Sequence, residues 1–331
     1  MKIRKLKNLA VSEIGMGCMA FSHGYGKIPD EAYSVEAIRM AFDHGCTFFD
    51  TAEVYGPELK PEHRGHNERI VGRALEGMRD RAIIATKLFV ETGEPQRDGS
   101  LAKTLKRHLA ASLRNLRTDW VDLYYLHRIN PDIPVEEVAD AMGGLIREGL
   151  VKGWGLSMVN IELMERAQAV TSLAAVQNIY SMMERDYEQT VIPYCERHDV
   201  GFVAYSPIAS GFLSGRIGTD TAFEKVDDVR NWVPQLSREN IAANRPLLDL
   251  LTEIAGDKGC TTAQLSLAWM LRKSPCVVPI PGSKNKERIL ENLGAAKVIL
   301  SDDEFRSLEE RLGHITIHGS RRAMGRPGEF F

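Results

Sequence analysis

Between residues 82 and 127 the chain reads Ala82-Ile-Ile-Ala-Thr-Lys87, then Leu101, Leu105, Leu109, Leu113 and Leu116, then Val121-Asp-Leu-Tyr-Tyr-Leu-His127. The outer runs are short, apolar and rich in β-branched or aromatic residues, so both read as strands. Each closes on a titratable side chain. The leucines between them fall four, four, four and three apart, which is one face of a helix. Strand, helix, strand is a crossover, and crossovers connect parallel strands.

The alternation continues in both directions. Upstream, Glu13–Gly17 leads into a Gly-rich loop, Ala32–His44 patterns as a helix, Thr47-Phe-Phe-Asp50 as a buried strand and Asn67–Leu75 as a helix. Downstream, Val135, Val138, Met142, Leu145 and Ile146 mark a helix with Pro134 near its first turn. Val151–Leu156, Ala174–Ile179, Gly201–Tyr205 and Val277–Ile280 read as four more strands, separated by helical segments at Ile161–Ala169, Tyr187–His198, Leu247–Lys258 and Thr261–Leu271. Eight strand–helix units predict an α/β fold closed into a (β/α)8 TIM barrel. The alternative is an open doubly wound sheet, which wants G-x-G-x-x-G after its first strand; Gly15-Met-Gly17-Cys-Met-Ala20 matches that only in part. No linker divides the chain, so one domain over residues 1–313 and a C-terminal tail over 314–331 are expected. The long irregular stretch Ser206–Asn244 reads as a functional loop.

A length of 331 residues suits one such barrel with insertions. Hydrophobic residues at 44% and charged residues at 26% exclude wholesale disorder. The net charge of −3 offers no field for nucleic acid or an anionic membrane. No apolar run approaches the roughly 20 residues of a membrane helix. Five scattered cysteines show neither a metal-site spacing nor a disulfide framework, so a reduced, cytoplasmic setting without a metal is expected.

A barrel of this kind carries its chemistry at the C-terminal ends of its strands. Strand two ends in Asp50 and runs into Thr51-Ala-Glu-Val-Tyr55-Gly56; strand three ends in Lys87 and strand four in His127. Each residue alone has a bland explanation in packing or solvation, but together they place an acid, a phenol, an ammonium and an imidazole on one rim. A phenol has an ordinary pKa near 10, and a nearby ammonium stabilises its anion and is expected to lower that value. A carboxylate fixes the ammonium, and an imidazole orients a carbonyl oxygen or relays a proton. The set suits protonation of an oxygen as hydride reaches the carbon, with a nicotinamide as hydride carrier.

Asp50-Thr-Ala-Glu-Val-Tyr55-Gly56, Ile84-Ala-Thr-Lys87 and Leu123-Tyr-Tyr-Leu-His127-Arg128 resemble the aldo-keto reductase superfamily. So do Trp154-Gly-Leu-Ser157, Val176-Gln-Asn178, Ala204-Tyr-Ser-Pro207 and Ile280-Pro-Gly-Ser283, in family order from about residue 3 to residue 313. The likeness is to the short-loop bacterial and plant type. It implies a barrel opened by an N-terminal β-hairpin, with a long strap loop after strand seven, that binds NADPH/NADP+ and reduces an aldehyde or ketone to an alcohol. It assigns Tyr55 as the acid, Lys87 and Asp50 as the groups that tune it, and His127 as the residue that positions substrate. A cofactor-binding regulatory subunit without significant turnover is the alternative, since the superfamily includes potassium-channel β subunits; the complete tetrad speaks against it. A barrel aldolase using Lys87 as a Schiff base is a second rival.

Pro279-Ile-Pro-Gly282-Ser283-Lys284 ends strand eight and opens a helix, a place suited to phosphate. Lys284 and Arg288, four apart, share a helical face. The resemblance puts both on the adenosine 2′-phosphate, which favours NADPH over NADH, with Glu291 and Asn292 near adenine. It puts Ser157 and Gln177 on the carboxamide, with Asp50 also in the cofactor set, Tyr205 against the nicotinamide ring, and Ser206, Pro207, Ser210, Gly211 and Arg216 along the pyrophosphate. Cys18 and Met19, after strand one, complete the expected cofactor set. Met158 departs from the polar residue that many relatives carry there.

The loop Pro57–His66 is longer than in many relatives. It follows Tyr55 directly, so it should border the substrate mouth, where His63 and Arg64 could meet an anionic or polar substrate. The opposing expectation is a solvated insertion. Phe21, Tyr25, Phe89 and Trp232 are candidates for an aromatic pocket wall. The tail, with Arg321, Arg322, Arg326 and two terminal phenylalanines, could cover the site, dock on another subunit or lie loose.

Overall fold

Two periodicities organise the chain, and both come out as expected. The structure is a computed structural model describing residues 1–320, so the tail calls at Arg321, Arg322, Arg326 and the terminal phenylalanines lie outside the described residues. An antiparallel hairpin of β1 (Ile3–Leu6) and β2 (Leu9–Ser12) comes first. Eight parallel strands follow: β3 (Met16–Gly17), β4 (Phe48–Asp50), β5 (Ile83–Leu88), β6 (Val121–Leu126), β7 (Val151–Ser157), β8 (Ala175–Ile179), β9 (Gly201–Tyr205) and β10 (Val277–Pro279). Each pairs with its neighbours in chain order. The ring closes where Gly17 bridges Gly282 in parallel and the Gly15 amide donates to the Pro279 carbonyl at 2.9 Å. A Cβ on Gly17 would stand 2.9 Å from the Ile280 carbonyl oxygen, so glycine is what lets this seam close.

Strand side chains alternate between two cores. Phe48, Ala85, Leu123, Tyr125, Ala175, Val203 and Val278 fill the barrel. Phe49, Ile84, Tyr124, Val176, Phe202 and Val277 face the surrounding helices instead. Leu6, Leu9 and Val11 of the hairpin pack into the first group and stopper the N-terminal end. That leaves the C-terminal end as the open one. The parity also fixes direction at that end. Asp50 lies two residues beyond Phe48, Lys87 two beyond Ala85, His127 two beyond Tyr125 and Gln177 two beyond Ala175, so the pleat aims all four inward.

The helix expected from Tyr187 starts at Val191, the chain first making a turn. Among the described residues three helices were not singled out from sequence: Glu94–Asp98 after β5, Arg238–Ala243 within the stretch read as irregular, and Asp302–Gly313, which a capping box of Ser301 and Glu304 begins. The stretch after β9 runs through short 3-10 turns at Ala209–Ser214, Val229–Trp232 and Pro234–Leu236 before the helix Arg238–Ala243. It crosses the open end, where Tyr25 bridges Asp228 and the Gly26 amide donates to the Asp227 carbonyl at 2.8 Å. The first part of the tail rests on this strap: the side-chain amide of Asn244 and the backbone of His318 exchange hydrogen bonds of 2.9 and 2.8 Å.

The inner core has little slack. A Cβ on Gly155 would lie 2.3 Å from the Ala175 carbonyl oxygen and 2.6 Å from the Tyr125 ring. Gly155→Ala is therefore expected to destabilise the barrel by about 1–3 kcal/mol, the usual penalty for overpacking. Thermal and urea denaturation of the variant would check this, and an unchanged midpoint would contradict the tight packing of β7 on β8.

Candidate active site

Lys87 is the centre of the site. Its side chain is 0% exposed, and a buried ammonium needs a counter-charge and full hydrogen bonding. Its Nζ donates to Asp50 Oδ1, to the Thr51 carbonyl at 2.8 Å and to Tyr55 Oη at 3.4 Å. The other Asp50 oxygen, Oδ2, accepts from Gln177 Nε2 at 2.7 Å. β4, β5 and β8 supply Asp50, Lys87 and Gln177, and the loop after β4 turns Tyr55 back over the ammonium. The Tyr55 and His127 rings meet edge to face with centroids 5.7 Å apart.

The electrostatics follow from burial and charge. Burial works against the Lys87 ammonium, but Asp50 and Tyr55 outweigh it and hold lysine above its ordinary value. Burial holds the Asp50 carboxyl above its ordinary value, Lys87 and Gln177 offsetting only part of that rise. The direct contact of Nζ with Oδ1 pairs the two as ammonium and carboxylate. Burial raises the Tyr55 phenol, and Lys87 offsets only part of that rise. This corrects the expectation of a net lowering: removing the phenolate from water outweighs one ammonium at 3.4 Å. Burial, Arg128 and Lys87 together push His127 well below the usual histidine value, so its ring is neutral.

Asp50, Tyr55 and His127 line one wall of a cavity of about 600 Å³, with Lys87 buried behind them. Of the residues expected around a cofactor, Met19, Asp50, Ser157, Gln177, Tyr205, Ser206 and Pro207 line it at the barrel mouth. Ser210, Gly211, Arg216, Gly282, Ser283, Lys284, Arg288 and Asn292 line its far arm. Cys18 does not: it is fully buried, its thiol facing the Met16 carbonyl. Glu291 lies outside the lining and pairs with Arg216 at 2.8 Å. Lys284 reaches across to donate to the carbonyls of Tyr25 (2.8 Å) and Lys27, tying the loop after β3 to the helix Lys286–Gly294. Among the described residues the Arg288 side chain makes no such bond. Met158 takes a left-handed backbone with φ 57°, and its sulfur accepts from Tyr205 Oη at 3.1 Å.

Tyr25, Arg64 and Phe89 line the cavity near the tetrad. Phe21 is 0% exposed and belongs to the core. His63 turns away, its Nδ1 bonded to the Pro57 carbonyl at 2.8 Å. Trp232 is 48% exposed and outside the lining. The loop Pro57–His66 folds on itself in two 3-10 turns and puts Leu59, Pro61 and Arg64 on the cavity, with Arg64 paired to Glu91 at 2.9 Å. Arg128 and Arg230 also line the cavity without having been singled out. Arg128 donates to the His127 carbonyl at 2.6 Å and to Ser157 Oγ at 3.1 Å. Strand parity would send Arg128 outward, but the ladder ends with the His127 N–H donating to the Leu88 carbonyl at 2.7 Å, and alternation no longer governs Arg128.

Residues 13–312 match the family model for the aldo/keto reductase family. The chain is 32% identical over 326 residues to the probable aldo-keto reductase 1 of Glycine max, a match spanning 94% of this chain and 88% of that protein. The glycerol dehydrogenase of Gluconobacter oxydans superposes with a TM-score of 0.83 at 26% identity, over 98% of each chain. An aldo/keto reductase of Klebsiella pneumoniae, solved in complex with NADP and acetate, has a TM-score of 0.72 at 31% identity, over 96% of this chain and 97% of that one. With its motifs in order, its barrel closed and its buried lysine paired, the chain belongs to the aldo/keto reductase family.

Proposed function

We propose that this protein reduces an aldehyde or ketone to an alcohol with NADPH, Tyr55 serving as general acid. The observation that carries this reading is the fully buried Lys87 ammonium held between the Asp50 carboxylate and the Tyr55 phenol, opposite a neutral imidazole. The cavity suits a dinucleotide. The Ser206 hydroxyl is buried beside it with no hydrogen-bond partner among the described residues, and Arg216, Lys284 and Arg288 make its far arm cationic. Ser157, Gln177 and Tyr205 would hold the nicotinamide end and the three cations the phosphates. A nicotinamide bound there would supply hydride to the carbonyl carbon. His127, being neutral, has one N–H to give the carbonyl oxygen. Tyr55 passes its proton to that oxygen, and Lys87 faces the phenolate left behind. Asp50 keeps the ammonium charged and in place. The same groups run alcohol oxidation in reverse.

Tyr55→Phe keeps the ring and deletes the proton. Turnover is expected to fall by about 10²–10⁴-fold, the usual worth of a positioned acid. NADPH affinity, read by fluorescence titration, should hold. A near-normal rate of NADPH oxidation across a carbonyl panel would remove Tyr55 from the role.

Lys87→Met acts on chemistry and on stability. Without the ammonium the phenol rises further, so any alkaline limb of the reduction profile, set by loss of the phenol proton, should move to higher pH. Asp50 is left buried and unpaired, at a cost of about 3–5 kcal/mol. Adding Asp50→Asn should recover part of that loss in thermal denaturation. An unshifted limb, or a double variant no more stable than the single, would contradict the assignment.

Lys284 and Arg288 separate by their partners. Arg288→Ala should weaken NADPH and leave NADH nearly unchanged, since a charged contact to phosphate is lost only where the 2′-phosphate exists. Lys284→Ala also unties the Tyr25–Lys27 loop, so it should weaken both cofactors. Equal losses for Arg288→Ala would place that residue away from the phosphate.

A further inference from the structure

Behind the tyrosine loop lies a buried charged cluster that no step above uses. Glu53, three residues after Asp50, is 7% exposed. Its Oε1 accepts from the Phe89 backbone N–H at 3.1 Å, and its Oε2 meets His108 Nδ1 at 2.7 Å. The backbone of Glu53 is engaged as well: its N–H donates to the Lys87 carbonyl at 3.1 Å and its C=O accepts from Gly65 at 2.7 Å. One residue thus joins the end of β5, the cavity wall at Phe89, the return of the Pro57–His66 loop and the helix Leu101–Leu116 that bears His108.

His108 is held on both sides. Its Nε2 faces Glu94 Oε2 at 3.3 Å. A neutral imidazole has one N–H, so carboxylates at both nitrogens call for imidazolium. Burial opposes that charge, and Glu53 and Glu94 overcome it, holding His108 above the ordinary histidine value. Arg107, on the same helix, stands 3.4 Å from Nε2 and opposes the charge too, while it pairs with Glu94 at 2.9 Å and with Asp98 at 3.0 Å. Arg97 lies 3.7 Å from Glu94. The Tyr124 phenol on β6 and the buried Glu68 carboxyl complete the charged and titratable surroundings of the cluster.

We propose that the Glu53 side chain is a positioning group that holds Phe89 at the cavity wall, and that His108, as imidazolium clasped between Glu53 and Glu94, is the latch that keeps it there. The proposal rests on reading this cavity as the substrate pocket. Loss of one His108 proton would leave Nδ1–H on the shorter contact, to Glu53, and set the Nε2 lone pair against Glu94; the bond to Glu53 would lose its charge assistance and the hold on the wall at Phe89 would loosen. Because the folded value is raised, the latch is closed below that value while Glu53 and Glu94 stay ionised, and it loosens as pH rises through it. The Lys87, Asp50 and Tyr55 contacts do not run through His108. The opening should therefore raise KM for the carbonyl substrate and leave kcat and NADPH affinity nearly level.

The test pairs hydrogen exchange with kinetics from neutral to alkaline pH. In the full wild-type chain, protection of the Phe89 amide, corrected for intrinsic rate, should fall about tenfold or more across the transition, the worth of a hydrogen bond to a charged group. KM should rise over the same range. His108→Gln keeps a donor toward Glu53 but cannot titrate, so both transitions should vanish. Glu94→Gln removes one of the two charges that favour imidazolium, so its transition should move to lower pH, which serves if the first variant folds poorly. Phe89 protection without a transition in the wild type, or transitions that persist unmoved in the variants, would overturn the proposal. Hydrogen exchange needs no turnover. A protein inactive on every carbonyl tried would thus count against the proposed function while the Phe89 amide still decides the latch.

Discussion

An ammonium with no exposure to water sits at the end of β5, and the rest of the site is arranged around keeping it charged. Removing such an ion from water costs several kcal/mol unless an opposite charge and further hydrogen bonds replace the lost hydration. Asp50 supplies the charge, Thr51 a carbonyl and Tyr55 a phenol. Gln177 then fixes the second carboxylate oxygen, so strands far apart in sequence are bound into one constellation. What is a burden on stability is also what brings a phenol within 3.4 Å of an ammonium: each group's position is dictated by the needs of the next.

The cavity has its own constraint, which is closure. The seam between the first and last barrel strands is made of glycines because a side chain there would strike backbone. The strap after β9 then crosses the mouth and bonds to the loop after β3, with Lys284 pulling that loop toward the last strand. The barrel's bottom is plugged by the hairpin, so ligand access is confined to the end where the tetrad stands. Lys284 carries two duties in this arrangement. It adds charge to the far arm of the cavity and it tethers a loop, which is why it differs from Arg288 four residues on.

A second buried charged cluster lies one layer out from the first. Lys87 lies inside the barrel, and His108 lies between barrel and helices, yet Glu53 touches both neighbourhoods through its backbone and its side chain. The tyrosine loop is thereby anchored on each side, by the Tyr55 contact to Lys87 within and by Glu53 without.

The sequence alone determined the eight strand–helix units, their order, and which residues the pleat turns inward. Period two along a strand is a local property of the backbone, and Asp50, Lys87, His127 and Gln177 each lie two residues beyond a barrel-filling side chain. The family motifs were legible for the same reason, being short and contiguous. Tertiary structure alone decided the rest. Phe21, Trp232, His63 and Cys18 sit in loops, where no period tells a side chain which way to face, and packing turned them from the cavity. Arg128 entered it because the ladder of its strand ends with the His127 N–H, one residue before it. The net rise of the Tyr55 pKa depends on how deeply the loop buries a phenol beside its ammonium. The clasp on His108 joins residues 53, 94 and 108 across three elements. Spacing along the chain carries no trace of a contact made only when a barrel closes.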